Sequence, residues 1–389
     1  MTSNVRTGID VFLNNIAHRM HGKRIGLITN QTGVTADLEG NIAVFRRLFG
    51  EGLCALFSPE HGLYAHVQDR ERIGNFIDPE SGLPVYSLYG LEESPSDSVL
   101  QDLDILLFDI QCVGVRFYTY LTSMSYTLKA AAVQNMPVMI LDRPNPITGT
   151  RIAGPMIDKC LTSFEGACET PVMHGMTLGE LALFLNETSE LNACVEVVPM
   201  EGWIRSMWYE DTGLAWVSPS PNMPTVDTAV LYPGMCLFEA TNLSEGRGTT
   251  RPFEQVGAPW IEANRLTTAL NALALPGVRF RAAHFLPTFW KLQGTTCHGV
   301  QVYVTDREAF EPIMTGLTMI KQILEFWPED FQWIRLEHDT QYFFDRLIGN
   351  NDIRPQLNSH VSVEEIVDSY QDDEAMFREI RQPFLLYDK

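Results

Sequence analysis

Basic residues are scarce in this chain of 389 residues, which carries 28 Lys and Arg against 49 Asp and Glu, a formal net charge of −21 at pH 7. Affinity for nucleic acid and for anionic membrane surfaces depends on clustered Lys and Arg, so this composition argues against both as partners. The seven cysteines contain neither a C-x-x-C pair nor a zinc-like cluster, and we expect reduced thiols rather than disulfides.

Long apolar runs are also absent. No stretch reaches the roughly 18 consecutive apolar residues that a membrane helix needs. The first residues, MTSNVRTGIDVFLNN, show no basic segment followed by an apolar run. We therefore expect a cytoplasmic protein without a signal peptide, or an exported one if a leader has been removed.

Three motifs that are common in α/β enzymes are missing. The first predicted strand runs into TNQTG, so it lacks the G-x-G-x-x-G turn that binds dinucleotides. The chain has no G-x-x-x-x-G-K-[ST] phosphate loop and no G-x-S-x-G nucleophile elbow. Since the spacing of Glu60, His61 and His66 matches no metal-ligand pattern, we expect neither a cofactor nor a metal.

What the first 150 residues do contain is a repeated alternation of strand and helix patterns. Helical patterns at 38–48 and 118–133 separate short apolar runs at 24–29, 53–58, 103–108 and 138–141. Continuous apolar runs of this length are typical of strands buried on both faces of a parallel sheet. The sequence predicts an α/β fold with a Rossmann-like, doubly wound, mainly parallel sheet.

The second half of the chain has a different character. Strand candidates follow at 195–199, 215–217, 277–282 and 299–304, and helices at 307–327 and 363–380. Thr177 and Glu180 have the spacing of a capping box, which predicts a helix beginning there. From this change in pattern we predict two domains, a first one over 1–257 and a smaller α+β one over 258–389.

Glu60 is the first candidate for chemistry. It follows the predicted strand 53–58, and ligands of doubly wound sheets lie beyond the carboxyl ends of the strands. Burial at that edge raises the pKa of a carboxyl group, which then stays protonated and can donate to a leaving oxygen. The alternative interpretation is that Glu60 caps a helix or bridges to a loop arginine.

Other polar residues lie at equivalent positions. Asp142, Arg143 and Asn145 either hold substrate hydroxyls or order their own turn, and the two interpretations are compatible. Three arginines lie in glycine-rich or aromatic loops and either bind an anionic substrate or pair with the neighbouring Glu245 and Glu254. They are Arg116, Arg247 and Arg251. The position of His174 before a helix start favours a turn residue or hydrogen-bond donor over a general base.

Six segments together resemble a known family. They are SPEHG (58–62), FDIQCVGVRFYTY (108–120), LDRPNP (141–146), HGMTLGELA (174–182), SPSPNMPT (218–225) and TNLSEGRGTTRPFE (241–254). In this order they resemble the DUF1343 family, whose characterised members are NamZ-type exo-β-N-acetylmuramidases. The resemblance implies a glycoside hydrolase of cell-wall recycling that releases N-acetylmuramic acid from the non-reducing end of peptidoglycan fragments, with no cofactor. It also implies that 1–257 is a Rossmann-like catalytic domain and 258–389 an auxiliary domain.

The reaction needs an acid and usually a second carboxylate. We assign Glu60 as the acid. Glu245 and Asp109 are the candidates for the second carboxylate, which acts as nucleophile or base, and Glu239 is a more distant candidate. Alternatively, the acetamido group of the sugar is itself the nucleophile. The residues that we expect to bind substrate are Asn30, His61, Arg116, Tyr118, Asp142, Arg143, Asn145, His174, Asn222, Asn242, Arg247 and Arg251. Two other functions stay open: hydrolysis of another amino-sugar glycoside, and non-catalytic binding of wall fragments. The oligomeric state is not predicted.

Overall fold

The computed structural model describes residues 5–335 and 341–388. The chain divides into two compact units, one made of residues 1–151, 174–224 and 378–389, the other of residues 152–173 and 225–377. The domain boundary predicted at 257/258 lies within the second unit, at the end of the strand Gln255–Ala258.

The first unit contains a seven-stranded sheet. Its strands are β1 (Ile25–Thr29), β2 (Leu53–Ser58), β3 (Phe76–Ile77), β4 (Pro84–Ser87), β5 (Ile105–Asp109), β6 (Val138–Leu141) and β7 (Val195–Val198), in the order β3-β4-β2-β1-β5-β6-β7. All neighbours are parallel except β3 and β4. The predicted doubly wound, mainly parallel α/β sheet is confirmed, because the apolar runs are buried on both faces as that pattern requires.

One helix precedes the first strand of this sheet, and others follow its strands. They are α1 (Gly8–Asn15), α2 (Asn41–Phe49), α3 (Asp97–Leu100), α4 (Tyr120–Val133) and α5 (Leu178–Thr188). The predicted capping box opens α5, where the Thr177 hydroxyl accepts from the Glu180 amide and the Glu180 carboxylate accepts from the Thr177 amide. Between α1, α2 and the sheet lies a core that includes Phe12, Phe45 and Leu107. The sheet and these helices together fix the loops at the carboxyl edge.

The second unit carries a three-stranded antiparallel sheet of β8 (Gln255–Ala258), β9 (Val278–Phe285) and β10 (Cys297–Val304), with β10 in the middle. Its helices are α6 (Val226–Met235), α7 (Ala263–Ala272), α8 (Pro312–Phe326), α9 (Phe343–Ile348), α10 (Ile353–Leu357), α11 (Val363–Asp368) and α12 (Gln371–Ile380). The chain returns to the first unit near the end of α12. Short 3-10 turns occur at Ala17–Met20, Gly50–Gly52, Lys159–Leu161, Tyr209–Thr212, Cys236–Ala240 and Gln382–Phe384.

Two sequence-based expectations are wrong. Residues 215–217 form no strand, since side chains rather than a neighbouring strand engage this segment: the Tyr209 hydroxyl donates to the Ala215 carbonyl and the Trp216 indole donates to the Met223 carbonyl. The helix expected over 363–380 is two helices, α11 and α12, separated at 369–370. None of the helices in the described ranges is long and apolar enough to cross a membrane.

Candidate active site

Glu60 lies just past the end of β2 and is 5% exposed. The Thr119 hydroxyl, at the start of α4, donates to Glu60 Oε2 at 2.7 Å. The Tyr89 side chain also hydrogen-bonds to the carboxyl group, and the Arg70 amide lies 3.5 Å from Oε1. The Glu60 carboxyl is thus held in place from three separate segments of the chain, one of them the start of α4. The predicted burial at the strand tip is confirmed.

The electrostatic surroundings favour the protonated form of this acid. Burial raises the pKa of Glu60, and the Asp69 carboxylate raises it further, against the opposing effects of His61, Thr119 and Tyr89. His61 follows directly in the chain, with a left-handed backbone (φ 70°) and Nδ1 2.9 Å from the Val67 carbonyl. A carboxylic acid that stays protonated near neutral pH is what proton donation to a glycosidic oxygen requires.

Two tyrosines and a loop close one side of the Glu60 region. The rings of Tyr118 and Tyr120 meet edge to face at 4.8 Å. The Tyr120 hydroxyl accepts from Asn30 Nδ2 at 2.9 Å and donates to the Pro219 carbonyl. Asn222 Nδ2 in turn donates to Gln68 Oε1 at 3.1 Å. Asn30 and Tyr118 therefore both contact Tyr120, which holds the Pro219 carbonyl, and Asn222 ties the same loop after Ser218 to Gln68.

Asp109 has a different environment from Glu60. It ends β5 with its side chain fully buried, Oδ1 2.6 Å from Arg143 Nε, and Oδ2 accepting from Asn41 Nδ2 at 2.7 Å. Arg143 also donates to the Val34 carbonyl at 2.8 Å. Since both oxygens are engaged, the arrangement favours a structural ion pair over a second catalytic carboxylate.

Asp142 is engaged just as fully. Its Oδ1 accepts from the amides of Arg143 (3.0 Å) and Gly179 (2.8 Å), and its Oδ2 from the hydroxyls of Thr177 and Tyr387, both at 2.6 Å. Burial raises the pKa of Asp142 to about 6. The carboxyl joins the end of β6 to the start of α5 and to the last residues of the chain, which favours the structural interpretation.

Three further predicted binding residues surround a void rather than a sugar-sized pocket. Arg143, Asn145 and His174 line a cavity of only about 10 Å³, the size of one water molecule at most. Asn145 donates to the Met176 carbonyl at 3.1 Å, and His174 Nδ1 accepts from the Met176 amide at 3.1 Å. Burial lowers the pKa of His174 to about 3, so the ring stays neutral, consistent with the turn role expected for it.

A larger cavity of about 490 Å³ lies at the start of α2, also within the first unit. Asn30, Asn41 and Arg46 contribute to its wall, as do Tyr64 and Asp78 on the other side. Of the predicted binding residues, Asn30 alone lines it. The Asn30 side chain is occupied by the Tyr120 hydroxyl and by the amide and hydroxyl of Thr32, so its polar atoms already have partners.

The second unit holds its own buried charge cluster. Arg247 lies 2.7 Å from Glu239 Oε1 and 3.1 Å from Glu245 Oε1, and Lys291 Nζ lies 2.7 Å from Glu245 Oε2. Burial opposes ionisation of Glu245, but Lys291 and Arg247 hold its pKa below the ordinary value. Glu245 is therefore an ionised carboxylate between two cations, unsuited to act as an acid.

The remaining predicted residues of this unit are also paired within it. Arg251 donates to Glu254 at 2.8 Å, and Arg247 pairs with Glu245. In both cases the structure shows the pairing with a neighbouring glutamate that the sequence offered as the alternative to anion binding. Asn242 donates to the Asp330 carbonyl at 2.8 Å and accepts from the Gln332 amide at 3.0 Å. In the first unit, Arg116 is 1% exposed.

Sequence reasoning missed three residues around Glu60. Thr119 and Tyr89 bind its carboxyl group, and Asp69 acts on its pKa. For Asp69 the available signal was the charged run Asp69-Arg70-Glu71-Arg72, which begins nine residues after Glu60 in a loop without periodicity. Across residues 5–335 and 341–388, no group of three or more His, Cys, Asp or Glu side chains is arranged to hold a metal ion.

Comparison with known proteins adds independent findings. A family model described as exo-beta-N-acetylmuramidase NamZ, N-terminal, matches residues 25–227, and the corresponding C-terminal model matches residues 230–387. The chain is 47% identical over 383 residues to the peptidoglycan beta-N-acetylmuramidase NamZ of Bacillus subtilis strain 168, covering 98% of this chain and 91% of the relative.

Two crystal structures of DUF1343 family proteins from Bacteroides fragilis NCTC 9343 are similar to this chain. One has a TM-score of 0.89 at 34% identity and covers 99% of both chains. The other has a TM-score of 0.78 at 30% identity and covers 100% of both. The similarity therefore extends over both units.

Proposed function

The chain belongs to the family of NamZ exo-β-N-acetylmuramidases, and we propose that Glu60 is the acid that protonates the glycosidic oxygen in its reaction. The family assignment made from six sequence segments is confirmed, and the chain is a glycosidase of the exo-β-N-acetylmuramidase type. The substrate that this supports is a peptidoglycan fragment ending in N-acetylmuramic acid, since the Bacillus subtilis relative is named for peptidoglycan.

The surroundings of Glu60 carry the proposal. Of the three carboxylates expected to be catalytic, Asp109 and Glu245 are ion-paired, whereas Glu60 is buried with hydroxyl partners and an acidic neighbour. A group of this kind keeps its proton to a higher pH than an exposed glutamic acid does, and it gives that proton to the departing oxygen as the bond to the anomeric carbon breaks. Thr119 and Tyr89 hold the carboxyl in one orientation during this transfer.

Two substrates with different leaving groups test this role. Purified protein is assayed on p-nitrophenyl β-N-acetylmuraminide and on a defined MurNAc–GlcNAc disaccharide. Nitrophenolate is a weak base that needs little protonation, whereas a sugar alcohol needs an acid. Glu60→Gln should therefore lose several orders of magnitude in kcat on the disaccharide and far less on the nitrophenyl glycoside.

The control is Glu187→Gln, which neutralises an exposed glutamate on α5 and should act like the wild type. Equal losses on both substrates would argue that Glu60 is a nucleophile or a structural residue instead. Wild-type protein that is folded, binds fragments and cleaves neither substrate would support the non-catalytic alternative. Faster cleavage of the glucosamine glycoside than of the muramic acid glycoside would support the other amino-sugar alternative.

A further inference from the structure

Arg72 is an exposed arginine in a strongly acidic chain. Within the described part of the chain, its guanidinium group takes part in no ion pair or hydrogen bond. By contrast, the neighbouring Arg70 lies 3.6 Å from Asp69. An exposed cation that no carboxylate neutralises in a protein of charge −21 is available for an anionic ligand.

The stem of Arg72 is nevertheless held in place. A Cβ added to Gly90 would lie 3.1 Å from Arg72 Cγ and 3.2 Å from Cδ, so the stem packs directly on the Gly90 backbone. Gly90 has φ 120°, a left-handed conformation that favours glycine. Gly90 follows Tyr89, whose side chain hydrogen-bonds to Glu60. The contact therefore places the stem of Arg72 beside a residue that touches the proposed acid.

The next residue is fixed in the same way from the other side. A Cβ added to Gly62 would lie 2.4 Å from Ile73 Cδ1, and Gly62 is two residues after Glu60. Residues 72 and 73 thus pack on two glycines, one near Glu60 in the chain and one next to its partner Tyr89. This double contact fixes the loop against the walls of the Glu60 site.

Arg72 also lines a cavity of about 250 Å³. Its other walls include Asn75, Ser87, Tyr89, Leu91 and Glu92. Pockets that enclose a whole drug-sized ligand measure about 300–1,000 Å³, so this one fits a substituent of a sugar better than a disaccharide. We name this cavity the Arg72 pocket.

The arginines expected from the sequence to meet an anion are less suitable. Arg116 is buried within the first unit, Arg247 is shared between Glu239 and Glu245, and Arg251 is paired with Glu254. A carboxylate that approached any of these would have to displace a protein carboxylate or enter the protein core, and both carry a large desolvation penalty.

We propose that the Arg72 pocket receives the lactyl carboxylate of the terminal N-acetylmuramic acid, with Arg72 as its ionic partner, an inference that rests on the proposed function. The lactyl ether is what distinguishes muramic acid from N-acetylglucosamine, so Arg72 is a specificity-determining residue. Glu92 faces the same pocket and opposes the anion, which sets the affinity below what Arg72 alone would give.

The test compares substrates with and without the carboxylate. Arg72→Ala should raise KM about 10- to 100-fold on p-nitrophenyl β-N-acetylmuraminide, with kcat changed little. Its effect on the methyl ester of that substrate should be about twofold or less, because the charge that Arg72 meets is already gone. Arg72→Lys should recover part of the loss, and Glu92→Gln should lower KM.

Two arginine variants locate the effect. Arg47→Ala removes an exposed arginine paired with Glu39 and serves as the matched control. Arg46→Ala removes a side chain from the wall of the 490 Å³ cavity. If Arg46→Ala raised KM as much as is expected for Arg72→Ala, the carboxylate would bind in that cavity and the proposal would be overturned. Unchanged KM in Arg72→Ala, or equal losses on the acid and its methyl ester, would also overturn it.

A binding measurement separates this inference from the proposed function. Calorimetry measures the binding of free N-acetylmuramic acid and free N-acetylglucosamine and needs no turnover. The two proteins compared are Glu60→Gln and the double variant Glu60→Gln with Arg72→Ala. A selective loss of N-acetylmuramic acid binding in the double variant supports the Arg72 pocket even if the wild type cleaves nothing. Cleavage by the wild type with equal binding to both variants would instead refute the pocket and leave the enzyme function standing.

Discussion

Asp109 Oδ1 lies 2.6 Å from Arg143 Nε, and this pair of opposite charges is buried at the ends of two adjacent parallel strands. The register of the sheet sets Thr29 of β1 opposite Asp109, and the Thr29 hydroxyl donates to the Asp109 carbonyl. A carboxylate fixed in this way orders the carboxyl edge of the sheet, on which the loop of Glu60 is also built.

The first prediction concerns the stability supplied by this pair. Asp109→Ala should lower the free energy of unfolding by about 3–5 kcal/mol, because it leaves Arg143 charged and uncompensated inside the protein. Urea unfolding measures the change. The matched control is Glu201→Ala, which breaks an exposed ion pair to Arg6 with the same 2.6 Å distance and should cost less than about 1 kcal/mol.

A different outcome would restore Asp109 as a catalytic contender. If Asp109→Asn kept the wild-type stability and lost most of its kcat, the ion pair would be of minor structural weight and the carboxylate would act on the substrate. We expect the reverse: a less stable protein whose folded fraction keeps the wild-type pH profile.

The second prediction is a shift in the pH profile. The Asp69 charge disfavours the ionised form of Glu60 and so raises its pKa. Asp69→Asn removes that charge, the pKa of Glu60 falls, and a smaller fraction stays protonated at a given pH. The alkaline limb of kcat/KM against pH should therefore move to lower pH, with little loss of activity at the acidic end.

The control for this shift is Glu71→Gln, an exposed carboxylate in the same loop. It should leave the limb in place, since the charge that acts on Glu60 belongs to Asp69. If the alkaline limb of Asp69→Asn stayed at the same pH or moved to higher pH, the group that titrates in the profile would not be Glu60.

The sequence predicted the sheet well because its signal is local. Each buried parallel strand is a continuous apolar run, and β2 and β6 have the predicted bounds, Leu53–Ser58 and Val138–Leu141. The burial of Glu60 was predictable because it lies two residues after one of these runs. The family was predictable because its six segments are short and specific.

The partners of the site residues were not predictable in the same way. Thr119, Tyr89 and Arg72 come from separate loops that meet only in the folded chain. For the arginines, an adjacent glutamate is compatible with both pairing and substrate binding, and coordinates are needed to decide. At residues 215–217 the apolar run predicts a strand, but the Ala215 carbonyl accepts from the Tyr209 hydroxyl rather than from a neighbouring strand.

The third prediction follows from Asp142, whose pKa is raised by burial to about 6 against about 3.9 in an unfolded chain. Between these values the folded protein binds the proton and the unfolded chain does not, so stability falls as the pH rises from about 4 to 6. Asp142→Asn removes this dependence, which amounts to about 2–3 kcal/mol.

Urea unfolding at pH 4.5 and 7.5 measures the dependence as a difference between variant and wild type. Tyr387→Phe provides a second test with the opposite sign. Its hydroxyl donates to Asp142 and lowers the pKa of that carboxyl, so removing it should enlarge the fall in stability and extend it to higher pH. Identical pH dependences in all three proteins would show that Asp142 is ionised over the whole range.

The fourth prediction separates structure from catalysis at Glu245. The two cations beside it hold its pKa low despite burial, so its contribution to stability is present above the unfolded pKa and is lost as the pH falls through the folded pKa. Glu245→Gln leaves Lys291 and Arg247 with one carboxylate, Glu239, between them. We expect the free energy of unfolding of Glu245→Gln to be about 3–5 kcal/mol lower than that of the wild type at pH 7. The difference should become smaller at acidic pH.

Glu262→Gln is the matched control, because it neutralises an exposed glutamate 3.5 Å from Arg265 in the same unit and should cost less than about 1 kcal/mol. The activity of Glu245→Gln then decides its role. A second catalytic carboxylate would leave a stable protein with kcat reduced on the disaccharide and the nitrophenyl glycoside alike. A structural carboxylate leaves a destabilised protein whose folded fraction turns over normally, and the two cations bound to Glu245 make that the expected result.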